Sequence, residues 1–147
     1  ATDAPNDKEQ VVPMVEQIRY NLRRKPKQGS ADSGYYSESN VRYLRKKRID
    51  DYLCPDRLKH GQTAPPVRGR IPKGLAFIDR VRRKLLSKKG RVVYALRKQI
   101  VEPVFGQIKH VRGLRQFLLR GLNKVRGEWS LWCMTHNLLK LWAATGG

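Results

Sequence analysis

Acidic residues are scarce in this chain. Twelve Asp and Glu stand against thirty-two Lys and Arg, giving a formal net charge of +20 and a pI near 10.6 over 147 residues. A balance that far from zero costs self-repulsion that a polyanion would relieve. Nucleic acid is therefore the first partner to consider and an anionic membrane surface the second. Cysteine is nearly absent too: Cys54 and Cys133 form no CxxC pair, which disfavours a disulfide framework and a zinc cluster and leaves reduced, structural thiols. His60, His110 and His136 have no second ligand at tetrahedral spacing, so zinc is not expected. No apolar run approaches the roughly 20 residues that span a bilayer. The opening ATDAPNDKEQ lacks the basic and apolar regions of a signal peptide, so the cytoplasm is the expected compartment. With 39% hydrophobic residues, 147 residues suffice for one domain with a core.

What is present reads mainly as helix. Asn6 and Asp7 are cap residues ahead of Val11, Val12, Met14, Val15, Ile18 and Leu22 at helical spacing, with Pro13 as a kink or true start. A basic connector, Arg23 to Gly29, leads to SADSGYYSESN, whose small residues let the backbone turn and leave Asp32 room to project. Ser37 or Ser39 caps a helix with Val41 and Leu44 inward. Ile49 to Cys54 alternates apolar and polar residues and is the best strand in the chain, ended by Pro55. Residues 55–74 read as a flexible basic loop rich in Pro and Gly. Leu75 to Leu86 reads as an amphipathic helix that Lys88, Lys89 and Gly90 terminate. The last helix, about Glu128 to Trp142, is apolar on most sides and is expected to be buried, with His136 hydrogen-bonded in the core.

The chain is organised around YALRKQIVEPVFGQIK. As a helix it places Tyr94, Lys98 and Glu102 at i, i+4 and i+8, with Lys109 seven residues further on, along one polar side. Val93, Leu96, Ile100, Val101, Val104, Phe105 and Ile108 form an apolar stripe expected to dock the helix on a core. By itself Glu102, just before Pro103, reads as an acid at a helix start, and Asp32 as a turn aspartate.

Two long stretches change those readings. ADSGYYSESNVRYLRKKRIDDYLCPDR resembles the segment around the second catalytic aspartate of bacterial insertion-sequence DDE transposases. RKQIVEPVFGQIKHVRGLRQFLLRGLNKVRGEWSLWCMTHNLLKL resembles the segment that carries their catalytic glutamate. The resemblance implies an α/β fold, an incomplete ribonuclease-H-like catalytic domain that is helix-rich with few strands, over 1–147 as one C-terminal portion. It makes Asp32 and Glu102 catalytic ligands of Mg²⁺ or Mn²⁺, which favour oxygen donors and stabilise both oxygens of an in-line phosphoryl displacement. Tyr94, Arg97, Lys98, Lys109, His110, Arg112 and Arg115 become DNA contacts, and transposon ends and target DNA become partners of an enzyme compatible with a homodimer. It also implies a bacterial, nucleoid-associated protein.

The family's first aspartate ends an apolar strand, and nothing before Asp32 has that form; Asp3 and Asp7 have no strand ahead of them. The polar run KPKQGS likewise stands where an apolar strand should lead into Asp32. The resemblance thus implies a transposase fragment inactive alone. The alternative is a non-catalytic basic nucleic-acid-binding protein; a membrane-surface module is disfavoured because no helix joins a clean cationic face to an aromatic one.

Overall fold

The computed structural model describes residues 6–55, 60–61 and 63–146, which fall into two compact units divided between Arg97 and Lys98. The first unit opens with a 3-10 turn, Asp7–Gln10, that runs into helix α1, Val11–Leu22. Asn6 caps the turn through the Lys8 N–H at 3.0 Å, as its residue type foretells. Strand β1, Gln28–Ala31, then leads through Asp32 and the 3-10 turn Ser33–Tyr35 to helix α2, Glu38–Lys46, and strand β2, Asp50–Leu53. The strands pair in parallel with Gln28 opposite Asp50 and Ala31 opposite Leu53, so α2 is the crossover of a β–α–β unit.

Ser37 caps α2 by accepting from the Asn40 N–H at 3.1 Å. Val41 and Leu44 point inward as their spacing requires, and meet Val11, Ile49, Leu53 and Val81 in the core. From α1 only Val11 is fully buried; Val12, Met14, Ile18 and Leu22 stay exposed, because α2 covers a narrow part of that helix. Strand β1 overturns the expectation drawn from KPKQGS. It needs no apolar residues of its own, since the paired strand supplies them and a Cβ at Gly29 would already stand 4.0 Å from the Ile49 side chain.

Residues 63–76 form neither helix nor strand; Asp56, Arg57, Leu58, Lys59 and Gln62 of the expected loop lie outside the described residues. This stretch is tied down at Pro65, which is buried, and at the Arg68 and Gly69 carbonyls, which accept from Arg83. Helix α3, Phe77–Leu86, ends at Ser87, and helix α4, Lys88–Gly106, begins at once. Gly90 is therefore no terminator. It sits in the first turn of α4, its N–H bonded to Ser87 Oγ at 3.1 Å, where a Cβ would meet the Lys84 carbonyl oxygen at 2.1 Å.

The second unit takes the end of α4, a π-helical turn at Gln107–Val111 and helix α5, Leu122–Ala144. Ile108 and Leu114 are its buried apolar residues, and Trp129 stacks on Phe105 at 6.0 Å and meets Phe117 edge-on at 6.4 Å. Glu128, buried six residues inside α5, accepts from the Leu118 and Leu119 N–H groups at 3.0 Å. The expectation that α5 is buried fails: Leu131, Met134, Leu138, Leu141 and Trp142 are each more than half exposed. Among the described residues this unit contains no strand, and the helix is covered on one side only. The α4 stripe fails likewise, with Ile100 and Phe105 exposed and only Ile108 buried. No helix among the described residues is long and apolar enough to cross a membrane.

Candidate functional site

Asp32 stands directly after β1, at the carboxyl end of the parallel pair, where α/β sheets place ligands. Its backbone stays extended while the next three residues turn, which aims the side chain off the strand end. Oδ1 accepts from the Gly34 N–H at 3.2 Å and Oδ2 faces Arg97 Nη1 at 3.4 Å. Arg97 also lies over the Tyr94 ring at 5.1 Å, so Asp32, Tyr94 and Arg97 converge. Cys54 joins them at the end of β2, its N–H on the Ala31 carbonyl at 3.0 Å. Burial raises the Tyr94 hydroxyl above its ordinary pKa, and its hydrogen bond with Cys54 and the Asp32 charge add to the rise.

The sequence set Asp7 aside for want of a strand before it, yet packing brings it to this edge. The Asp7 and Asp32 carboxylates each lie 3.3 Å from the point a Gly34 Cβ would occupy. Glycine is what leaves room between them. The Tyr35 hydroxyl responds to both charges: burial first, then Asp7 and Asp32, raise its pKa. Asn40 fixes the arrangement by donating to the Lys8 carbonyl at 2.8 Å and the Tyr35 carbonyl at 2.9 Å, one in each 3-10 turn. No spacing rule in the sequence announces that clamp.

The remaining expected residues fall in the second unit, so Asp32 and Glu102 belong to different units. Glu102 is inside α4 and not at a helix start; Pro103 lacks an N–H, but the helix continues around it to Gly106. The unbroken helix keeps the i, i+4, i+8 spacing of Tyr94, Lys98 and Glu102. Lys109 departs from it, because the wider π turn shifts its angular position. Lys98, Glu102, Lys109, His110 and Arg115 are exposed; Arg112 is half-buried, with Nη1 lacking a hydrogen-bond partner among the described residues. His136 is buried as expected but not hydrogen-bonded: neither ring nitrogen has a partner among the described residues. Burial, then the charges of Arg112 and Lys140, lower its pKa.

IDDYLC carries a second acidic group. Asp51 is buried, held by Arg45 Nε at 3.0 Å and Lys84 Nζ at 3.1 Å. Asp50 takes Lys84 at 2.7 Å, Lys89 at 3.0 Å and the Tyr52 hydroxyl at 2.8 Å. Burial opposes its ionisation, but hydrogen bonds from Lys84, Lys89 and Tyr52 outweigh it and hold the carboxyl well below the usual range. With their cations in place, these two acids act as a structural ion network.

The stretch from Pro72 through α3, α4 and α5 to Trp142 matches a known family model, that of the transposase DDE domain. Over residues 72–142 the chain is similar to the transposase DDE domain family. No curated protein and no solved structure matches the chain. The matched segment includes Tyr94, Arg97, Lys98, Glu102, Lys109, His110, Arg112 and Arg115, while Asp32 and the β–α–β unit precede it.

Proposed function

We propose that this chain is part of a DNA transposase of ribonuclease-H-like architecture, acting in metal-dependent strand cleavage and transfer, with Asp32 and Glu102 as metal ligands. The observation that supports it most is that Asp32 projects from the carboxyl end of a parallel strand in a chain whose later half matches a transposase DDE domain. The donors fit Mg²⁺ or Mn²⁺ in kind, since Asp32, Glu102 and Asp7 offer hard carboxylate oxygens. They fall short in number: among the described residues no three carboxylate, histidine or cysteine groups gather. A divalent pair would supply charge stabilisation to both oxygens of a phosphoryl displacement. The chain's own part is to orient Asp32 through Gly34 and to hold phosphate with Arg97 beside Tyr94.

The isolated chain should therefore bind DNA without cutting it. Calorimetry with Mg²⁺ and a short duplex tests the reading on wild type, Asp32→Ala and Glu102→Ala. Saturable uptake lost in both variants supports it; equal heats in all three chains would sink it. One observation favours a second reading, a basic binder without chemistry: Arg97 already faces the Asp32 carboxylate. On that reading either alanine leaves DNA affinity unchanged or tighter.

A further inference from the structure

Positive backbone φ is uncommon outside glycine, and the described chain has two such residues, Arg23 at 53° and Arg48 at 55°. Both are arginines that end a helix. Arg48 follows α2 in a Schellman arrangement: the Ile49 N–H reaches the Leu44 carbonyl at 2.9 Å and the Arg48 N–H the Arg45 carbonyl at 2.9 Å. Glycine suits that position best, and here a long cation occupies it. Arg23 does the same at the end of α1.

The two helix ends meet. Lys25 Nζ donates to the Lys47 carbonyl at 3.1 Å, and Lys47 pairs with Glu16 at 3.1 Å. Along the end of α1, beside this junction, lies a groove of about 770 Å³ lined by Glu16, Arg19, Tyr20, Arg23, Arg24 and Lys25. Glu16 is committed to Arg19, Lys47 and the Tyr43 hydroxyl. Among the described residues no carboxylate pairs with Arg23, Arg24, Lys25, Lys46 or Arg48, all exposed. Tyr20 is 65% exposed, with the Arg23 guanidinium 5.0 Å over its ring. Lys27 and Ile49 immediately precede β1 and β2, so this surface lies at the amino ends of the strands. Asp32 is at the other end, on the order of 10 Å away along the strand.

We infer that this groove is a second nucleic-acid surface, gripping the phosphate backbone without reading bases, on the face of the β–α–β unit opposite Asp32. Strain retained at two arginines, unpaired charge of one sign and an exposed tyrosine are what a phosphodiester chain would engage. The inference rests on the proposed DNA-binding function.

The test is fluorescence anisotropy of the full chain with a 30-base-pair duplex of arbitrary sequence across a salt series, on wild type and Arg23→Gly/Arg48→Gly. Glycine relieves the backbone at both sites, so the double variant should melt no lower than wild type. Its Kd should rise on the order of tenfold or more at low salt, with the slope of log K against log salt reduced by roughly 2. Arg24→Gln/Lys25→Gln should lower the slope in the same way. Unchanged slopes in both variants, with DNA still bound by wild type, would overturn this surface alone; no DNA binding by wild type would remove the parent reading as well. Phosphatidylserine vesicles serve as the other polyanion, and loss of vesicle binding with DNA slopes intact would assign the groove to lipid and overturn the inference.

Discussion

Asp51 is carried into the interior by the strand that makes it part of the core, where Arg45 and Lys84 pair with its carboxylate. Asp51→Ala strands those cations beside an apolar strand and should cost about 3 kcal/mol in urea unfolding, at the low end for buried pairs because both partners also touch solvent. Asp50 works by linkage. Its folded pKa lies below the unfolded value of about 3.9, so its stabilisation is present above that value and lost as pH falls below it. An acid titration of wild type should drop more steeply below about pH 4 than that of Asp50→Asn. His136 has the same sign at a higher pH. Its folded pKa is depressed below about 6.5, so the neutral ring is the favoured one and stability declines as pH falls from 7.5 to 5. Melting curves of His136→Gln, which does not titrate, should lose that slope.

At the scale of the element, the junction of α3 and α4 is the most constrained point. Gly90→Ala would drive a Cβ into the Lys84 carbonyl, a backbone atom that cannot step aside, and should cost more than about 2 kcal/mol by thermal melting. Arg83 holds the loop before α3 at the Arg68 and Gly69 carbonyls, so Arg83→Met should expose residues 63–76 to faster proteolysis while leaving the strands intact. Which elements the sequence announced follows from what each depends on. Helix α2 carries its own cap and inward pair, Ser37 with Val41 and Leu44, and β2 alternates, so both were legible. Strand β1 was not, because QGSA becomes a strand only when β2 is beside it. Helix α5 departs from its expected burial for the opposite reason: apolar composition says a helix could be buried, but only a covering element makes it so. At the site, Asp32 and the Tyr94, Lys98, Glu102 spacing could be read from the chain, whereas Asp7 and Cys54 arrive through tertiary packing.

At the scale of the whole molecule, the two units differ in what reports on them. Trp129, Trp132 and Trp142, the only tryptophans, all lie in the second unit. Tryptophan fluorescence should therefore follow that unit alone, and its urea transition should not coincide with the one seen by far-ultraviolet circular dichroism; coincident curves would show a single cooperative unit. The β–α–β connection of the first unit has a kinetic side. Parallel strands cannot zip from a hairpin, so β1 and β2 can meet only after the chain between them has closed a loop containing all of α2. Closing that loop costs entropy before strand pairing can repay it, which places α2 and its Val41 and Leu44 contacts in the folding nucleus. Truncating either side chain should slow refolding more than it speeds unfolding, with φ-values nearer 1 than those of α1. The same helix that closes the sheet would then set the pace at which Asp32 acquires a strand to project from.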